Sequence, residues 1–307
     1  MVSIFKQFYR YTHNRAMRHN ENFWPYISIR RASEDHIQTL RYCRQHIPLE
    51  NLNLLRAKVS GDITILATGP SVNTLDLHKL AGTTFIGVNG AYHLHNKVRF
   101  SYYVIVDRGF VKQRAGLVKE VLSDEALVLF TTVHCLNDIL KNTALKEIKC
   151  RLAIIEDLSF KVFRAKVLPH EYERYYRDKK GIVLFPTEPR AGFSWDIRQG
   201  VFDAGTVAYW ALQIAAWLGA NRILLAGVDM NNFAAPRFYE TEGDKLPSFL
   251  SSNFEHVVRP AFLHASRELE RAKIKTYNLC LNSGLGEDVF EKITLESLFP
   301  QEQSARP

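Results

Sequence analysis

A series of short, continuous apolar runs, each stopped by a small or polar residue, limits this chain's fold more than any other feature. Ile63-Thr64-Ile65-Leu66-Ala67 is closed by Thr68-Gly69-Pro70-Ser71, and Thr84-Phe85-Ile86-Gly87-Val88 by Asn89-Gly90. Tyr102-Tyr103-Val104-Ile105-Val106 ends at Asp107, and Arg222-Ile223-Leu224-Leu225-Ala226 ends at Gly227-Val228-Asp229. Ala126-Leu127-Val128-Leu129-Phe130 reads as a further strand. Such runs, without polar alternation, fit strands covered on both faces. Helical stretches separate them, which predicts βαβ units: an α/β fold with a Rossmann-like, mostly parallel sheet flanked by helices. Gly205–Leu218 is apolar on most faces and predicts a buried helix that Gly219 ends. Pro260–Lys273 predicts an amphipathic helix leading into a strand at Lys275-Thr276-Tyr277-Asn278-Leu279.

Two regions break this rhythm. Residues 1–60 predict a basic, helical amino-terminal extension interrupted at Pro25 and Pro48, ahead of an α/β domain over 61–300. The extension holds much of the chain's net charge of +8, with Lys6, Arg10, Arg15, Arg18, Arg41 and Arg44 among its cations. It also carries Phe5, Phe8, Tyr9, Tyr11, Phe23, Trp24 and Tyr26. Basic and aromatic together fit an anionic surface, membrane or nucleic acid; they equally fit an extension whose aromatics pack on the main domain. The stretch of about 135–200, rich in charge and tyrosine, predicts an irregular lid or insertion. Residues from Gln301 read as a frayed end.

Several classes fall away. No run of eighteen apolar residues exists, so no membrane-spanning helix is expected. The start at Met1 lacks an apolar stretch with a cleavage site, so secretion is not expected. Cys43, Cys135, Cys150 and Cys280 lie far apart, against a zinc or disulfide framework and in keeping with a reducing cytoplasm.

In an open parallel sheet, ligands bind beyond the carboxyl ends of the strands. Thr68, Gly69, Pro70, Ser71, Asn89, Asp107 and Asp229 all fall there. Gly69 permits close backbone approach, and Ser71 can cap a helix start whose free N–H groups favour phosphate. Arg237 and Tyr239, on the loop after Asp229, offer guanidinium and hydroxyl donors. His256 and His264 lie beside the last predicted helix, where a histidine could act as a base.

These blocks, in their order and spacing, resemble the RfaZ/WaaZ family of lipopolysaccharide-core Kdo-III transferases. The strongest match is Gly205-Thr206-Val207-Ala208-Tyr209-Trp210-Ala211-Leu212-Gln213-Ile214-Ala215, continuing through Ala220-Asn221-Arg222-Ile223 to Gly227-Val228-Asp229. The resemblance covers about residues 60–285. A more distant likeness is to the family 42 bacterial sialyltransferases, which share a Gly-Pro-Ser loop at Gly69-Pro70-Ser71 and an Asn at Asn89. That family has a second Asn where Asp107 stands, its phosphate-binding tyrosines are matched at best by Tyr239, and its catalytic histidine aligns with His256.

The resemblance implies a sialyltransferase-like variant of the GT-A fold and transfer of Kdo from CMP-Kdo to a lipopolysaccharide core sugar, with inversion. Thr68, Gly69, Pro70, Ser71, Asn89, Asp107, Thr206, Asp229, Arg237 and Tyr239 would hold the donor. His256, or failing it Asp229 or Asp107, would deprotonate the acceptor, and Arg190 or Arg198 would hold the donor carboxylate. The chain has no Asp-x-Asp pair, and a CMP-sugar has one phosphate, so no metal and no other cofactor is expected. The expected site of action is peripheral, on the anionic cytoplasmic face of the inner membrane, and a homo-oligomer is left open. The alternatives are a sialyltransferase or other CMP-ulosonate transferase and, from another class, a non-catalytic nucleotide- or nucleic-acid-binding module; no nucleic acid is expected.

Overall fold

The computed structural model describes residues 4–299. The frayed end expected from Gln301 lies outside the described residues. In chain order the strands are β1 (Ile27–Arg31), β2 (Ile37–Tyr42), β3 (Gln45–Ile47), β4 (Gly61–Leu66), β5 (Thr84–Val88), β6 (Phe100–Ile105), β7 (Val128–Thr131), β8 (Arg151–Ile154), β9 (Ile182–Leu184), β10 (Gly192–Ser194), β11 (Ala220–Ala226), β12 (Lys275–Asn278) and β13 (Glu291–Lys292). Eight of them form one parallel sheet in the order β13-β12-β11-β4-β5-β6-β7-β8. The strand order reverses between β4 and β11. That seam is where a ligand crevice belongs.

The apolar runs lack alternation because the sheet is buried on both faces. Ile63, Ile65, Ile86, Val88 and Val104 point into one core layer, and Leu66, Phe85, Tyr103 and Ile105 into the other. The helix Val207–Leu218 lies in the first layer, with eleven of its twelve residues buried. Its one polar core residue, Gln213, is fully satisfied: it accepts from the backbone N–H of Ser194 (3.0 Å) and Phe202 (3.1 Å) and donates to two carbonyls. The helices Arg108–Gln113, Ala115–Ser123 and Val133–Ile139 cover the second face.

Two expectations need correction. The amino-terminal extension is helical at Ile4–Thr12, in the 3-10 turn Arg15–Asn20 and in the single turn Leu52–Leu55, while β1, β2 and β3 form an antiparallel three-stranded sheet. Ile27, Ile37, Leu40 and Ile47 are its buried face; β1 alternates with period two, while in β2 the buried Ile37 and Leu40 lie three apart because the pairing with β1 skips Gln38. The stretch 135–200 is not wholly an insertion either. It supplies β8, the edge strand of the main sheet, before the short helix Tyr172–Tyr176 and the β9–β10 hairpin stand apart.

The extension is clamped to the domain. Both Arg31 terminal nitrogens bind the buried Glu156, and Asp35 pairs with Lys161 (2.6 Å) and Arg164. Asn20 accepts from the Phe163 N–H (2.9 Å), and the Phe23 ring packs on His134. These partners follow β7 and β8, so the extension stands at the carboxyl end of the sheet.

Candidate active site

The seam between β4 and β11 opens into a cleft of about 420 Å3. Its floor is the Thr68-Gly69-Pro70 loop after β4. Gly69 donates to the Gly227 carbonyl (2.8 Å), which stitches the two strand ends together. A Cβ at Gly69 would fall 2.5 Å from the Asp229 carboxylate and 2.7 Å from that carbonyl. Gly227 has φ of +73°, a conformation that favours glycine. The tight crossing of the two loops therefore depends on both glycines.

Asp229 is buried beneath this crossing. It accepts from the Ser71 backbone N–H (2.9 Å) and from the Ser71 hydroxyl. The carboxylate is thus spent on shaping the loop. Ser71 accordingly faces Asp229 and lies outside the cleft lining, although Thr68, Gly69, Pro70 and Asp229 are in it.

Opposite the loop, Gly205, Thr206, Val207 and Ala208 line the cleft. They are the start of the buried helix, capped by the Thr206 hydroxyl on the Ala208 N–H (3.4 Å). The positive end of a twelve-residue helix therefore faces the cavity, a favourable setting for phosphate. Asn89, at the end of β5, adds a side-chain oxygen that is buried without a hydrogen-bond partner and belongs to the cleft lining. An orphaned acceptor costs stability, so one held in the wall of a cleft leaves a hydrogen bond to be made. Its backbone is held in the left-handed region (φ +46°), and its carbonyl accepts from the Tyr103 hydroxyl (2.7 Å). Asp107 also lines the cleft; it is exposed and caps the next helix through the Gly109 N–H (2.7 Å).

The loop after β11 closes the third side. Arg237 and Lys245 bring cations to the cleft lining. Arg237 is anchored by Glu240, whose buried carboxylate takes its guanidinium (2.7 Å) and backbone N–H (3.0 Å). The Phe238 N–H donates to the Thr68 carbonyl (3.1 Å), tying this loop to the floor.

Five predicted residues lie elsewhere. Tyr239 does not line the cleft: its ring is seated against Gly90, stacked on His93 at 4.9 Å, and its hydroxyl is buried without a partner. Burial, opposed in part by nearby Arg237, pushes that hydroxyl up to about 12. His256 is exposed on the turn Phe254–Val258; Phe254 and Val258 point inward there, and the histidine between them faces solvent. His264 is likewise outside the cleft lining and stacks on Phe185 (5.1 Å). Arg190 is paired with Glu173 (2.9 Å), and Arg198 is held by Asp196 and Asn53; none of these belongs to the cleft lining. Sequence reading missed Lys245, Asn232 and Phe233, which line the cleft together with Asn231 from an aperiodic loop. It also missed Asp203. This carboxylate accepts from the Gly205 N–H (3.1 Å) and the Trp210 indole (3.0 Å) just before the cleft-facing helix.

A family model for "3-deoxy-D-manno-octulosonic acid transferase WaaZ" matches residues 47–296. The chain is 26% identical over 258 residues to a "Probable 3-deoxy-manno-octulosonic acid transferase" of Salmonella typhimurium, covering 80% of this chain and 92% of that one. It is 26% identical over 267 residues to the Escherichia coli protein of the same name, covering 81% and 88%. Among solved structures it is similar to the sialyltransferase CstII from Campylobacter jejuni in complex with CMP-3FNeuAc, at 15% identity, a TM-score of 0.40, and coverage of 76% of this chain and 87% of that one.

Proposed function

The chain belongs to the 3-deoxy-D-manno-octulosonic acid transferase WaaZ family and is a glycosyltransferase; from that premise we propose that it moves Kdo from CMP-Kdo to a hydroxyl of the lipopolysaccharide core. The observation that carries this reading is the convergence in one cleft of a helix start, the unpaired Asn89 oxygen and two cations. In this reading the cytidine donates its exocyclic amine or ribose hydroxyl to Asn89. The single phosphate lies at Thr206-Val207-Ala208, and Arg237 and Lys245 meet the charge that grows on it as the glycosidic bond breaks.

Asp107 takes over the role first given to His256. It is the exposed carboxylate in the cleft lining, whereas Asp229 is bound to Ser71 and His256 faces away. The acceptor oxygen bonds to the anomeric carbon as the carbon–oxygen bond to CMP breaks. The proton passes to Asp107, CMP leaves with the electron pair, and the centre inverts. No step in this scheme requires a metal. The acceptor's lipid anchor places the reaction at the anionic cytoplasmic leaflet.

The test is CMP release from CMP-Kdo with a deacylated core acceptor, with and without EDTA. Acceptor-dependent turnover that survives EDTA is expected. Turnover of CMP-sialic acid alone would move the activity to the other ulosonate; no turnover and no CMP binding, with a verified acceptor, would remove the reading altogether.

A further inference from the structure

The helix Ile4–Thr12 is turned inside out for a water-soluble surface. Its Tyr9 is buried, and Lys6 (2.8 Å) and Arg10 (2.5 Å) pair with Glu21 on the protein side. The apolar stripe faces outward: Ile4 is 79% exposed, Phe8 55% and Tyr11 90%. These positions, with the partly exposed Phe5, follow the i, i+4, i+7 spacing of one helix face. Trp24 and Tyr26 extend the stripe. Phe8 stacks on Trp24 at 5.4 Å, and Phe5 meets Trp24 and Tyr26 edge-on at 5.7 and 6.0 Å. Six of the eleven large apolar side chains exposed among the described residues gather in this one patch. Single exposed apolar residues are ordinary; a contiguous patch marks a binding surface.

Charge narrows the partner. Residues 1–60 hold ten Lys and Arg against four Asp and Glu, an excess of six out of the chain's eight. Arg15, Arg18, Arg41 and Arg44 are exposed, and the turn carrying Arg44 is tied to Tyr26 by the Cys43 N–H (2.7 Å). An aromatic ridge beside free cations fits the boundary between anionic headgroups and acyl chains. Single-stranded nucleic acid would use the cations and stack bases on open rings, but Phe5, Phe8, Trp24 and Tyr26 pack on one another and the exposed Ile4 offers no stacking face.

We propose that the outward face of Ile4–Thr12, with Trp24 and Tyr26, docks on a bilayer surface that carries anionic lipid. The clamp through Arg31 and Asn20 holds the extension at the carboxyl end of the sheet, the end at which the cleft also opens. Docking there presents the cleft to a membrane-held acceptor, and only that last step rests on the function proposed above.

The experiment is sedimentation of the full chain with vesicles of phosphatidylcholine, alone or mixed with phosphatidylglycerol. Binding is expected to the mixed vesicles, weakening with salt. The double variant Phe8→Glu, Tyr11→Glu should reduce partitioning about tenfold or more. Its thermal unfolding and CMP binding should match the parent's; were it to fold poorly, Arg44→Glu should weaken binding to the mixed vesicles on its own. Failure of the parent to bind mixed vesicles, undiminished binding by both variants, binding to nucleic acid in place of vesicles, or burial of the face in a stable dimer would each overturn the proposal. Turnover on the deacylated, soluble acceptor is measured in parallel. Vesicle binding without that turnover would sink the transferase reading and leave this one standing, and the reverse result would do the opposite.

Discussion

Asp229→Asn keeps an acceptor oxygen where the Ser71 N–H needs one; Asp229→Ala takes it away. The carboxylate is buried and bound twice by Ser71. In the alanine variant a partly buried N–H loses its charged partner, at a cost of about 1–3 kcal/mol, and the loop crossing at Gly69 loses its brace. For a chain of this size that corresponds to a fall in Tm of roughly 2–6 °C. In the asparagine variant the Ser71 hydroxyl can rotate to accept from the new amide, so a loss of about 1 kcal/mol is expected. CMP affinity should fall in step with stability, because the floor of the cleft moves. Turnover at saturating donor should fall less than about tenfold in Asp229→Asn, since the group positions a loop and takes no proton. The measurements are thermal unfolding, CMP titration and turnover on both variants. Unchanged Tm and CMP affinity in Asp229→Asn, with turnover down about a hundredfold or more, would make Asp229 the base and refute the reasoning.

Asn89→Ala should weaken CMP binding by about 1–2 kcal/mol, measured by titration; stability should fall only by the roughly 1 kcal/mol that alanine costs in the left-handed backbone there, because the lost oxygen has no partner in the protein. Gly90→Ala should cost about 1–3 kcal/mol by driving a methyl into the Tyr239 ring, and the penalty should shrink in a Tyr239→Ala background, as a double-mutant cycle of unfolding energies would show. His134 is held down to about 4, chiefly by burial and then by His19 beside it. A depressed histidine contributes stability that is present above its unfolded value near 6.5 and lost as pH falls towards 4, so proteolysis within the extension should accelerate over that window and His134→Phe should blunt the effect. Burial and nearby Asp203 push Asp157 up to about 7. A raised carboxyl favours the fold below its unfolded value near 3.9 and loses that advantage as pH rises through 7, so Asp157→Asn should raise Tm more at pH 8 than at pH 5.

The central strands were readable because both their faces are buried. β4, β5, β6 and β11 appear as unbroken apolar runs, and the polar residues that stop them gather at one cleft. β8 escaped notice: it is four residues long, begins with exposed Arg151, and is fixed as a strand by its pairing with β7. β1 and β2 were masked by charge, since alternation in β1 runs over only five residues and the irregular pairing at Gln38 breaks it in β2. Within the site, residues adjoining a strand end were placed by the strand itself. Lys245 and Phe233 lie on a loop without periodicity, and the seats of Tyr239 and His256 depend on Gly90, His93, Phe254 and Val258, contacts between segments that no local pattern encodes.

The pairing of β4 with β11 joins residues 160 positions apart, with Ile63 opposite Ile223 and Leu66 opposite Ala226. During synthesis the first five parallel strands leave the ribosome well before that partner does. Until residue 226 emerges, β4 presents a bare row of backbone donors and acceptors along an apolar strand, a template for pairing with any other unfinished chain. The seam that later receives the ligand is therefore the half-made chain's most vulnerable line. A product truncated before Ala220 would keep Asn89, Asp107 and the helix start at Gly205–Ala208 yet have no cleft, because Gly227, Asp229 and the loop carrying Arg237 and Lys245 have still to follow. Binding competence should consequently appear late and all at once as the chain lengthens, at the step that also removes its stickiest edge.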